Sequence, residues 1–107
     1  MTQAKVKVQV MYPQTQNSTF DMEYYTQKHL PMVAELFGDS VKGSSLDKGI
    51  SGPMPDAPKS FMVIASLYFD KAEDFSNAFA IHAPAIVEDM PNYTNVEPVI
   101  QINEVLG

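Results

Sequence analysis

The sequence predicts an α+β chain of ferredoxin-like βαββαβ order, a four-stranded antiparallel sheet with two helices on one face. Three observations carry that expectation. Two-residue alternation of apolar and polar side chains marks both ends of the 107 residues. Two amphipathic helical stretches each follow a strand, and a Gly/Pro-rich connection separates two further strands in the middle. Two right-handed βαβ crossovers laid antiparallel join such elements into one sheet.

The elements follow in order. From Lys5 to Tyr12, Val6, Val8, Val10 and Tyr12 alternate with Lys7, Gln9 and Met11, as a strand with one buried face requires. After a polar stretch, Asp21 is placed to cap a helix, with Phe20 and Tyr25 at the two positions of a hydrophobic staple. Met22, Tyr25, His29, Val33 and Leu36 then recur every three or four residues, and Gly38 supplies the stop. Pro31 lies inside this helix, where it gives no amide hydrogen to Gln27 and crowds its carbonyl, so a kink is expected beside His29.

Val41 to Ile50 reads as a polar second strand and Phe61 to Phe69 as a third, apolar on both faces. The connection from Gly49 to Pro58 is too long and too rich in Gly and Pro for a tight hairpin, so it is either a lid or a surface excursion. Asp70-Lys71-Ala72-Glu73-Asp74 opens a second helix whose stripe is Ala72, Phe75, Phe79, His82 and Ile86. It ends at Pro91-Asn92, where Asn92 is read as a left-handed cap, and Val96 to Leu106 alternates as the fourth strand.

Composition bounds the function. One domain spanning residues 1–107 is expected, with a core rich in six Phe, five Tyr and seven Met. Thirteen acidic and seven basic side chains leave a net charge of -6, which disfavours nucleic acid or an anionic membrane as partner. No stretch approaches the roughly 20 apolar residues needed to span a bilayer. Zero cysteines remove disulfides and thiolate chemistry, and Met1 to Val10 alternates rather than forming a signal-peptide block, so a soluble cytoplasmic protein is expected. Met11, Met62, Ile64, Tyr68 and Val99 exceed what the open sheet face of a monomer can cover, which predicts a homodimer packed sheet to sheet.

The two histidines share one frame, His29-Leu30-Pro31 and His82-Ala83-Pro84, on the packed faces of the two helices. An imidazole there can take and return a proton near neutral pH, or stand as a core residue with both nitrogens satisfied. His29, with Tyr25 one turn before it, is the candidate acid/base. Tyr25, His82 and Asp47 are candidate ligand contacts; small neighbours around His82 also fit close helix packing, and Asp47 beside Lys48 also fits an exposed ion pair. Two histidines on separate helices lack a convincing third ligand, with Asp47 and Glu88 the remaining options, so no metal is expected. No phosphate loop or serine elbow occurs.

Phe20-Asp21, Tyr24-Tyr25, His29, Pro31 and Val33, then Asp47-Lys48-Gly49, then Pro91-Asn92-Tyr93-Thr94, Pro98, Gln101-Ile102 and Glu104-Val105 together resemble the EthD family, named for ethyl tert-butyl ether degradation. The resemblance implies a dimeric α+β barrel. Its relatives include cofactor-free monooxygenases of aromatic polyketides, methylmuconolactone isomerases and polyketide cyclases, with a small-molecule pocket between helices and sheet; some larger relatives bind haem through one histidine. It implies cofactor-free chemistry on a small hydrophobic ether, aromatic or lactone-type intermediate, for which His29 is the candidate acid/base group. The alternative is a non-catalytic accessory that binds a ligand or stabilises a partner oxygenase.

Overall fold

The structure, a computed structural model, describes residues 5–107, so the first four residues of the alternating stretch from Met1 lie outside the described residues. Strands β1 (Val6–Pro13), β2 (Gly43–Lys48), β3 (Phe61–Phe69) and β4 (Val99–Glu104) form one antiparallel sheet in the order β2-β3-β1-β4. Helices α1 (residues 22–37) and α2 (Ala72–Asp89) complete the ferredoxin-like α+β fold. No helix among the described residues is long and apolar enough to cross a membrane.

Register decides which side chains meet the helices. Val8 pairs with Leu67 and Ile102, Val10 with Ala65 and Ile100, and Tyr12 with Val63. Their neighbours at odd steps, Gln9, Met11, Ile64, Ser66 and Tyr68, therefore face away. Two core clusters lie between helices and sheet. One gathers Val8, Val33, Phe37, Phe69, Phe75 and Ile86, and the other is built on Tyr12, Tyr25, Val63 and Tyr93. On the far face Met62 is already buried within the chain, whereas Val99 is 49% exposed and Met11, Ile64 and Tyr68 are half-buried.

Helix α1 starts as its sequence directs. The Asp21 carboxylate accepts the Tyr24 amide at 3.0 Å, and the Phe20 and Tyr25 rings meet with centroids 4.9 Å apart. The break expected near Pro31 takes the form of a π turn over Tyr25–His29, with the Leu30 amide donating to the Tyr25 carbonyl before Leu30–Phe37 resumes α geometry. A proline has no amide for the preceding turn and its ring crowds that turn's carbonyl, so widening by one residue relieves both defects. Gly38 ends the helix at φ 59°, a left-handed conformation that costs a glycine nothing.

Pro84 lies within α2, which runs as α-helix from Ala72 to Asp89 without the π turn found beside Pro31. One local expectation is corrected. Asn92 is not a left-handed cap: among the described residues no non-glycine has positive φ, and Met90–Asn92 continues as a 3-10 turn. The connection after β2 is an ordered excursion, closed by the Gly52 amide on the Ala57 carbonyl at 2.9 Å. At Gly49 a Cβ would lie 2.1 Å from the Phe61 carbonyl oxygen, which restricts that position to glycine. Ile50 and Met54 project from this loop, 91% and 66% exposed, and none of residues 49–60 lines a cavity beside His29.

Candidate functional site

The π turn sets His29 one residue further round α1 than an α-helix would, and the side chain is only 2% exposed. Tyr25 stacks on one side of the imidazole with centroids 5.3 Å apart, and Tyr93 lies 4.6 Å away at a tilt. Tyr93 is brought there by the segment after α2. The Asp21 amide donates to the Tyr93 carbonyl at 2.8 Å, and the Thr94 hydroxyl donates to the Thr19 carbonyl at 2.7 Å. The chain leaving α2 is thus tied to the chain starting α1, and the two histidine-flanking tyrosines are held together.

Both imidazole nitrogens have partners. Nδ1 lies 2.9 Å from the Asp89 carboxylate and Nε2 lies 3.3 Å from the Tyr93 hydroxyl. The carboxylate of Asp89 is held below its ordinary value. Partial burial opposes its ionisation, but hydrogen bonds from Tyr24 at 2.6 Å, from His29 and from Asn92 at 3.0 Å outweigh it. An ionised carboxylate only accepts, so Nδ1 carries the proton and Nε2 presents its lone pair to the Tyr93 O–H. The Tyr93 oxygen in turn accepts from Tyr12 at 2.8 Å.

Burial pushes the His29 pKa below its ordinary value, while the Asp89 hydrogen bond and charge oppose that shift. His29 therefore rests as a neutral imidazole at neutral pH, oriented for proton uptake at Nε2 and backed by an anion that would stabilise the imidazolium. Burial likewise drives the Tyr12 and Tyr93 hydroxyls upward. They remain protonated donors, able to hydrogen-bond a developing oxyanion.

The His29 ring, with Tyr12 and Tyr25, lines an inner cavity of about 40 Å³ between the helices and the sheet. Its other walls are apolar, among them Leu30, Val33, Leu67 and Ile86. An outer cleft of about 420 Å³ lies between α1 and strands β2 and β3, and shares Leu30, Val33, Ala65 and Leu67 with the inner cavity. The inner cavity has no room for a porphyrin, and both His29 nitrogens are already bonded, so the residues do not fit axial ligation of haem.

Of the four residues singled out from sequence, the structure brings two together, His29 and Tyr25. His82 occupies the inner stripe of α2, half-buried, with no hydrogen bond to the His29 network. Asp47 pairs across β2 and β3 with Ile64, one step from Leu46 opposite Ala65, so it faces away from the helices. Among the described residues no three His, Asp or Glu side chains converge as a metal site. Asp89, not a candidate from sequence, is joined to His29 across 60 positions. Asn92 acts through its side chain and not as a backbone cap: its amide braces Asp89 and the Tyr24 oxygen.

A ferredoxin-like α+β fold with a buried histidine bonded to a partly buried aspartate and a helix-to-sheet cavity defines the class. An EthD domain matches residues 13–97, and the chain belongs to the EthD family. It is similar to the crystal structure of an EthD-like protein from Ralstonia eutropha JMP134, with 38% identity and a TM-score of 0.91, covering 99% of this chain and 96% of that one. It is also similar in fold to an ethyl tert-butyl ether degradation (EthD) family protein from Bacillus halodurans C-125, at 20% identity and a TM-score of 0.70 over 95% of this chain and 99% of that one. A dimeric protein of unknown function and ferredoxin-like fold from Bacteroides fragilis NCTC 9343 aligns at 12% identity and a TM-score of 0.51, covering 98% of this chain and 100% of that chain. No curated protein matches the chain.

Proposed function

We propose that this EthD protein is a cofactor-free acid/base catalyst of the isomerase or cyclase type, with His29 as the proton-transferring group. The observation that carries the reading is the Asp89-anchored imidazole whose ring lines a cavity and whose Nε2 accepts from Tyr93, itself bonded to Tyr12. A substrate C–H or O–H beside Nε2 gives its proton to the imidazole. The electron pair left behind moves onto a substrate oxygen, which accepts a hydrogen bond from a tyrosine hydroxyl in place of the long Tyr93 contact. Return of the proton to a different substrate atom completes an isomerisation and restores neutral His29. Asp89 is a positioning residue that fixes the tautomer, and Tyr25 supports the ring.

Positioned acid/base groups contribute about 10²–10⁴-fold. With a panel of aromatic and lactone substrates, His29→Ala is expected to lower kcat at least about 100-fold in folded protein. Unchanged turnover and ligand affinity in that variant would reject the assignment. No turnover by the wild type across the panel, with retention of a larger enzyme on purification, would favour the accessory role for an oxygenase system.

The working unit in this reading is a homodimer packed through the far sheet face. Half-exposed Val99, Ile64, Met11 and Tyr68 support it, since a C2 contact buries one patch on both copies. Sedimentation is expected to give twice the chain mass at micromolar concentration; a monomer unaffected by concentration would contradict it.

A further inference from the structure

The outer cleft has a chemical character that the acid/base reading does not supply. No ionisable side chain lines it, although the chain carries 13 acidic and seven basic residues. The polar side chains among its lining residues are hydroxyls. The Thr26 hydroxyl donates its proton to the Met22 carbonyl at 2.9 Å, leaving its oxygen as an acceptor. Ser44 faces the helix side of β2, exposed and without a side-chain hydrogen bond among the described residues. Pro31 and Ala34 form the opposite wall, and Leu46 lies between the two walls.

An anion entering such a cleft loses hydration and meets no cation, and the net charge of -6 adds repulsion at longer range. A neutral ring loses little water and gains apolar contact. The volume of about 420 Å³ lies at the small end of the roughly 300–1,000 Å³ range of ligand pockets. The inner cavity, about 40 Å³ and sharing Leu30, Val33, Ala65 and Leu67 with the cleft, holds little more than one small group.

We propose that the outer cleft binds the body of an uncharged one- or two-ring molecule and directs a single hydroxyl or carbonyl past Leu30 and Val33 toward His29. This inference rests on the acid/base reading for the role of the inner cavity, and adds the substrate class: neutral phenols, lactones or cyclic ketones, not their carboxylate relatives. Specificity lies in the cleft walls, where Ala34 on α1 and Ser44 on β2 leave the width a ring needs.

The test is direct titration of the full chain with 2-naphthol and with 2-naphthoate at pH 7, followed by calorimetry or fluorescence. Wild-type protein is expected to bind 2-naphthol and to bind 2-naphthoate at least about tenfold more weakly. Ala34→Phe and, independently, Ser44→Phe place a ring in the cleft from opposite walls at exposed positions, and each is expected to weaken 2-naphthol at least about tenfold. Equal binding of the two probes, unimpaired 2-naphthol binding by both folded phenylalanine variants, or no 2-naphthol binding up to millimolar concentration would overturn the proposal. If the cleft behaves as expected while His29→Ala turns over normally, the catalytic assignment fails and the binding site stands.

Discussion

Asp89→Ala is expected to destabilise the fold by about 1–3 kcal/mol, the cost of leaving a buried donor without its acceptor. The donor is the His29 Nδ1–H, 2.9 Å from the carboxylate in a ring that is 2% exposed. Tyr24 and Asn92 lose the same acceptor but lie nearer solvent, where water replaces it. The anion also opposes the burial-driven fall in the His29 pKa, so its removal lets that pKa fall further. Asp89→Asn separates the two effects. Its amide oxygen can still accept from Nδ1, so most of the stability returns, while the lost charge keeps the His29 pKa below the wild-type value. Denaturant unfolding reads the first effect and imidazole NMR the second; wild-type values of both in Asp89→Ala would remove Asp89 from the account.

The second large expected effect is loss of stability on acidification below about pH 6.5. An unfolded histidine takes up a proton near that pH, while folded His29, its pKa lowered chiefly by burial, stays neutral until the pH is lower. In the intervening window the unfolded state binds more protons, so stability falls as pH falls, by at most about 1.4 kcal/mol per pH unit for one proton. Asp89 acts in the same direction in a more acid range. Its folded pKa is also lowered, so its contribution is present above the ordinary carboxylate value and is lost as pH drops through the folded one. His29→Gln is expected to flatten the thermal-unfolding curve in the histidine window and leave the acid limb; an unchanged slope below pH 6.5 would contradict the neutral buried imidazole.

The fold was legible because its signals are local. Alternation in Val6 to Tyr12, the Asp21 cap with its Phe20–Tyr25 staple, and the Gly38 stop are each written within one turn or strand, and each stands in the structure. His29 was legible as a buried polar residue on an apolar stripe. The form of the break beside it was not, since Pro31 predicts a defect without choosing a π turn, and Pro84 in the same frame produces none.

The partner of His29 was hidden for a different reason. Asp89 is an acidic residue near a helix end, a place where carboxylates ordinarily face water, and only the packing of α2 against α1 reveals its bond to an imidazole 60 positions away. Asp47 could have been set aside from sequence alone. Leu46 belongs to the face toward the helices, so the next residue along a strand points the other way. Asn92 shows the limit of residue-type statistics: its side-chain amide, not its backbone, carries its role.

His29 is a neutral Nδ1–H imidazole, held by Asp89 at Nδ1 and accepting from the Tyr93 hydroxyl at Nε2. A ¹⁵N NMR titration of the two histidines in the full chain tests it most directly, with His82→Gln assigning the signals. An Nδ1-protonated His29 at neutral pH and a pKa below about 6.5 are expected. An Nε2-protonated resonance, or an imidazolium persisting above pH 7, would contradict it.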